Sequence, residues 1–143
     1  MKHTNDGNCQ RCLAFLSDAD KALVEWFKKE QAKDPTLHTS CSIRGRKDQE
    51  AALASGNSKA SYGKSAHNYS PSMALDLFFI INGTATWAYS KYKAIAARKP
   101  TSIVWGGDFN DDGDLTNDSF KDSPHFEVRG WKSKVKNYPN GNV

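Results

Sequence analysis

The chain has 143 residues, which suits one domain, and its 38% hydrophobic and 11% aromatic content excludes a disordered polymer. A net charge of +4 favours anionic partners such as nucleic acid, a membrane surface or bacterial wall polymer. No stretch is apolar enough to span a bilayer, no basic tract with interleaved aromatics argues for nucleic acid, and three cysteines do not make a closed disulfide framework.

The first residues, Met1 to Asn8, are polar and lack the apolar core of a secretion signal, so the chain is expected in a cytoplasm, with reduced thiols. The first predicted element is a helix with Ser17 as N-cap and Asp20 at the third helical position. Leu16, Leu23, Val24 and Phe27 recur at helical spacing, Lys28, Lys29 and Lys33 suit its C-terminal end, and Pro35 stops it. A strand is expected from Leu37 to Ile43, then a helix from about Arg46 to Ser55 ending at Gly56.

Asn57 to Ser72 is rich in Ser, Gly, Lys and Asn and reads as a loop. Ala74 to Ile81 is an apolar run of strand length, and Asn82-Gly83 is a turn. Thr84 to Arg98 is predicted as a helix with Ala88, Tyr92 and Ile95 on one stripe. Ser102 to Trp105 reads as a strand, Asp108 to Asp118 as an acidic loop, and Phe126 to Val128 as a last strand with His125 at or beside its start. From Trp131 onward, Lys132, Lys134 and Lys136 suggest a peripheral basic tail. The interspersed elements and varied turns predict an α+β fold with a small, mainly antiparallel sheet flanked by helices.

Asp76 lies inside the apolar run Ala74–Ile81, where a carboxylate is costly unless paired or bound to metal. His67 and His125 each stand beside an apolar strand, with Asp122 three residues before His125. Two imidazoles and a carboxylate suit a catalytic zinc ion, which keeps a fourth position for water, and a further carboxylate can take a proton from that water. An isolated histidine is more often an ordinary surface or hydrogen-bonded group, and spacing by itself leaves both readings open.

Two further patterns concern metals. Asp108, Asn110, Asp112 and Asp114, with Gly113 at the sixth position, match the opening of a calcium loop of EF-hand type. Position twelve is Ser119 rather than a bidentate Glu, and a solvated turn is the plainer reading. Cys9-Gln10-Arg11-Cys12, with Cys41 and His38, could make a structural zinc site, against the alternative of idle thiols.

Ser65-x-His67 followed by Ala74-x-Asp76, then Asp122-x-x-His125-Phe126-Glu127, resembles the LAS metallopeptidases, and within them the L-alanyl-D-glutamate peptidases used as phage endolysins. Arg44 with Gln49, Gly56-x-Ser58, Lys64-Ser65, His67-Asn68 and Trp105-Gly106-Gly107-Asp108-Phe109 follow the same branch in order. The resemblance spans roughly Cys41 to Val128. The separation of His67 from Asp76 is two residues longer than in the commonest family form, with Ser70-Pro71-Ser72 lengthening the loop.

This resemblance implies a LAS metallopeptidase fold in which His67, Asp76 and His125 bind Zn2+ and Asp122 is the general base. It implies that Arg44 holds a substrate carboxylate or helps stabilise the oxyanion. It gives Ser65 a hydrogen bond to substrate or to a ligand, and Glu127 a place behind a metal ligand; an ordinary surface arginine at Arg44, a loop-capping serine at Ser65 and a solvent-facing strand residue at Glu127 are the alternatives. Ca2+ at Asp108, Asn110, Asp112 and Asp114 is implied as well, since some relatives are regulated at a comparable loop. The implied activity is zinc-dependent hydrolysis of the L-alanyl-D-glutamate bond of peptidoglycan by an endolysin during host cell lysis. The enzyme is expected to be a monomer, with no nucleic-acid partner, held in the host bacterial cytoplasm until released. The alternatives are a D-Ala-D-Ala carboxypeptidase, a non-catalytic peptidoglycan-binding module of the same fold, or a small zinc-binding nucleic-acid module suggested by Cys9, Cys12 and the charge.

Overall fold

The computed structural model describes residues 1–116 and 121–135. It opens with helix α1 (Gln10–Leu16), whose first turn is capped by the Cys9 sulfur accepting the Cys12 N–H. Helix α2 (Lys21–Lys33) follows, with the Asp20 carboxylate accepting the Ala22 N–H and with Leu23, Trp26 and Phe27 buried. Ser17 was expected as the N-cap of this second helix and instead closes α1, its hydroxyl donating to the Ala14 carbonyl at 2.8 Å. Asp20 takes the capping role because its carboxylate stands directly before the first turn and meets an otherwise unpaired N–H.

The sheet is built on β2 (Ala74–Ile81), with β1 (Leu37–Cys41) along one edge. Along the other edge lie β5 (His125–Val128) at its start and β3 (Thr84–Thr86) at its end. Strand β4 (Ile103–Trp105) adds to β5, and all of these pairings are antiparallel. The expected α+β architecture is therefore the one found.

Alternation along β2 decides where the site falls. Leu75, Leu77 and Phe79 point to one face and are fully buried. Asp76 points to the other, beside its directly paired neighbours Cys41 on β1 and His125 on β5. The hydrophobic core includes Trp26 of α2 against Phe126, with ring centroids 4.9 Å apart. Tyr92 packs against Phe79, and its hydroxyl donates to the Leu77 carbonyl at 2.7 Å.

The helix expected over Thr84–Arg98 is shorter, with α4 running Tyr89–Ala96. Asn82 and Gly83 both have positive φ, at 52° and 76°, which makes a tight hairpin turn matched to the twist of paired strands. The β-branched Thr84 and Thr86 then continue as β3. Helix α3 (Arg46–Ala54) lies where it was expected. Strand β1 stops at Cys41 rather than Ile43, because its register slips between Thr39 and Cys41 and the chain turns away from the ladder.

The start of the expected basic tail is packed against the body, with Trp131 buried and its ring 5.8 Å from that of Tyr69. Lys136 and the residues after it lie outside the described residues. Among the described residues, no helix is long and apolar enough to cross a membrane.

Candidate metal centre and active site

His67 is delivered by a single helical turn, Ala66–Asn68, inside the long polar loop. The Ser65 hydroxyl accepts the His67 N–H at 3.2 Å, and the Asn68 side chain accepts the Ser65 N–H at 3.1 Å, a reciprocal cap. Ser65 thus holds the backbone of His67 in place. Asn68 also donates to the Arg44 carbonyl and to Gln49, and Gln49 donates to Ser58 and to the Ala60 carbonyl. Arg44, Gln49, Ser58, Ser65 and Asn68, which look scattered along the chain, form one hydrogen-bonded frame around His67.

Asp76 reaches the site despite the longer preceding loop. That loop is pinned at both ends: Ser72 is fully buried and donates to the Ser42 carbonyl at 2.6 Å, and Ser70 donates to Asp18 at 2.6 Å. The antiparallel register then sets Asp76 opposite His125.

Three ligand atoms converge there. His67 Nε2 lies 3.1 Å from Asp76 Oδ1 and 3.2 Å from His125 Nδ1, and His125 Nδ1 lies 3.4 Å from Asp76 Oδ1. Tetrahedral Zn2+ with ligand bonds near 2.0–2.1 Å sets such atoms about 3.3 Å apart, so the residues fit the ion. The far nitrogens agree. His67 Nδ1 faces the Ser42 carbonyl at 2.7 Å and His125 Nε2 faces Glu127 Oε1 at 2.7 Å, so each ring donates outward and turns its other nitrogen inward, where a bound metal would displace any proton it carries. Glu127 thus stands directly behind His125, on the side away from the converging atoms.

Charge organises the same atoms. Burial pushes the His67 imidazole down and the Asp76 carboxyl up, but their attraction prevails, leaving His67 well above and Asp76 well below its ordinary range. Burial likewise opposes protonation of His125, and its bonds to Asp76 and Glu127 outweigh that and raise it to about 9. Asp122 Oδ2 lies 4.0 Å from His125 Nδ1, and burial raises its carboxyl above the usual value. A carboxylate with raised basicity beside a metal centre can accept a proton.

Arg44 is placed against Asp76. Its Nη2 donates to Asp76 Oδ2 at 3.1 Å and its Nη1 to Gln49 at 3.2 Å, so it fixes the carboxylate whose other oxygen faces the histidines. Arg44, His67, Asp122 and His125 line a cleft of about 320 Å³, with Lys59, Lys64 and Lys132 also on its wall. Phe109 borders the same cleft, its ring 5.5 Å from that of His125. Sequence reasoning missed Ser42, whose contribution is a backbone carbonyl and carries no side-chain signature.

Within the acidic loop four side chains accept N–H groups of its own turns, while Asp111 pairs with Lys99 and Arg129 outside it. Asp108 accepts the Gly113 N–H, Asn110 the Asp112 N–H, Asp112 the Asp114 N–H, and Asp114 the N–H and hydroxyl of Thr116. Among the described residues, the His, Cys, Asp and Glu groups whose ligand atoms converge do not include Asp108, Asp112 or Asp114. Ser119, at the twelfth position, lies outside the described residues. Cys41 was expected beside Cys9 and Cys12 but stands next to the His67–Asp76–His125 cluster, its sulfur 3.8 Å from His67 Nδ1.

The fold is shared with a solved structure, the Serratia marcescens L-Ala D-Glu endopeptidase ChiX. The two superpose with a TM-score of 0.68 at 20% sequence identity, over 88% of this chain and 92% of that one. No family model matches the chain, and no curated protein matches it.

Proposed function

We propose that this chain is a zinc-dependent peptidoglycan endopeptidase of the LAS type that hydrolyses the L-alanyl-D-glutamate bond of wall stem peptides. The observation that carries this reading is the convergence of His67 Nε2, Asp76 Oδ1 and His125 Nδ1 within 3.4 Å, beside Asp122 and open to a cleft. The fold shared with an endopeptidase of that bond supports it.

Bound Zn2+ would polarise the scissile carbonyl and acidify the attacking water. Asp122 would take the water's proton, hold it and pass it to the leaving amine. Arg44 and Glu127 act through the ligands, Arg44 by fixing Asp76 and Glu127 by orienting His125. Lys59, Lys64 and Lys132 supply positive charge to the cleft wall, which suits a stem peptide bearing free carboxylates. The role in life would be that of an endolysin, kept in the host cytoplasm until released onto the wall.

The test is digestion of purified stem peptides, read by mass spectrometry. The expected products carry a new L-alanine C-terminus and a new D-glutamate N-terminus. Release of terminal D-alanine alone would reassign the protein as a carboxypeptidase, and binding without cleavage would make it a wall-binding module.

A further inference from the structure

We propose that His3, Cys9, Cys12 and His38 form a second, structural zinc site, separate from the active site. Their ligand atoms all lie within 4.8 Å of one another. His3 Nδ1 is 3.4 Å from Cys9 Sγ and 3.5 Å from Cys12 Sγ, and His38 Nδ1 is 3.3 Å from Cys12 Sγ. Zinc bonds of about 2.3 Å to sulfur and 2.0–2.1 Å to nitrogen, at a tetrahedral angle, place S and N about 3.5 Å apart. The observed separations match that figure.

The surroundings prepare the ligands. His38 Nε2 faces Asn5 Oδ1 at 2.6 Å, so that nitrogen donates outward and Nδ1 is the one turned toward the sulfurs. The backbone N–H groups of Thr4 and Cys12 each donate to Cys9 Sγ at 3.4 Å, and Gln31 Nε2 donates to Cys12 Sγ at 3.6 Å. N–H donors aimed at sulfur stabilise the thiolate, the form that binds metal, while burial by itself pushes the Cys12 thiol up to about 12, a cost the charge of a bound cation would offset. Cys9, Cys12 and His38 are fully buried. Two thiolates and two imidazoles complete a tetrahedron with no position left for water, the composition of a structural rather than a catalytic site.

The site would clamp the chain's first segment to the sheet. His3 precedes α1, Cys9 and Cys12 straddle its first turn, and His38 belongs to β1. Asn5 adds a bond from its side chain to the Ile80 carbonyl on β2, at 2.8 Å. The sequence pattern had paired Cys9 and Cys12 with His38 and Cys41, and the structure puts His3 in the place expected for Cys41. A histidine six positions before the first cysteine fits no familiar spacing rule, so it carried no signal.

The site can be tested apart from the active site with the His67→Ala variant, which removes a ligand of the proposed catalytic ion. Purified under reducing conditions, it should retain about one zinc per chain. Exchanged with Co2+, it should show intense near-ultraviolet thiolate-to-cobalt absorption. Cys9→Ser and Cys12→Ser in the same background should each lose that band and melt at a lower temperature. The band can also be sought in a Cys41→Ser protein, which removes the one thiol near His67 and keeps Cys9 and Cys12, so the proposal does not depend on the Cys9 and Cys12 variants folding. A folded Cys41→Ser protein that takes up Co2+ without the band, or that carries a Cys9–Cys12 disulfide as isolated, would overturn the site.

Discussion

The backbone of Gly106 is in direct contact with that of Asp122. The Asp122 N–H donates to the Gly106 carbonyl at 2.7 Å, and a Cβ on Gly106 would come within 2.1 Å of the Asp122 carbonyl oxygen and 2.9 Å of His125 Cβ. Gly106 N–H also donates to the His125 carbonyl at 2.7 Å, so this glycine seats both ends of the Asp122–His125 turn. Gly106→Ala should therefore shift Asp122 and His125 together. We expect wall hydrolysis to fall at least about tenfold and stability by about 1–3 kcal/mol, as in other overpacked sites. Turbidity clearance and urea unfolding check this, and wild-type values for both would refute the packing argument.

Glu127 is the outward partner of His125. Glu127→Ala should weaken zinc binding at the proposed His67–Asp76–His125 centre by about 10–100-fold, the usual cost of losing such a partner. Glu127→Gln keeps an acceptor oxygen and should fall between. Competition with a graded chelator, following the active-site ion, measures the order of the three proteins. Equal retention by all three would mean that the contact does not tune the ligand.

Asp122 sits beside the converging ligands without completing their triangle. Asp122→Ala should keep its zinc and lose about 10²–10⁴-fold in hydrolysis, the range for a lost general acid–base. Metal analysis and stem-peptide turnover on one preparation are the paired readouts. Unchanged turnover would remove Asp122 from the proton-transfer role.

Asp34 gives a stability prediction remote from the active site. Its carboxylate accepts the N–H and hydroxyl of Thr36, at 3.0 and 2.5 Å, and pairs with Lys91 of α4 at 3.3 Å. Burial opposes its ionisation, but the Thr36 and Lys91 contacts outweigh it and lower the pKa. A depressed folded-state pKa contributes stability above the unfolded value, near 3.9, and loses it as pH falls through the folded value. Asp34→Ala should cost about 1 kcal/mol or less at pH 7, given solvent screening of the ion pair, with the difference shrinking below about pH 4. Urea unfolding of both proteins at neutral and acid pH decides it. A gap that stays constant or widens on acidification would contradict the assignment.

Much of the candidate site was legible because it violates local expectation. Asp76 interrupts an apolar strand, and only a partner could make that tolerable. Its pairing with His125 follows from strand register, which sequence alone does not set. The hairpin after β2 was hidden because Thr84–Arg98 can be read with helical periodicity, although Asn82-Gly83 announces a hairpin turn. The short helix α1 was missed because its cap is a cysteine sulfur rather than a usual capping oxygen. The calcium reading drew on spacing and on the resemblance, and in the structure the same side chains accept N–H groups of their own turns.

The most direct test is a crystal of the purified protein measured on both sides of the zinc absorption edge. The expected anomalous peak lies about 2.0–2.2 Å from His67 Nε2, His125 Nδ1 and an Asp76 oxygen. A zinc-loaded crystal with no peak among those three side chains would contradict the proposed centre and the peptidase chemistry built on it.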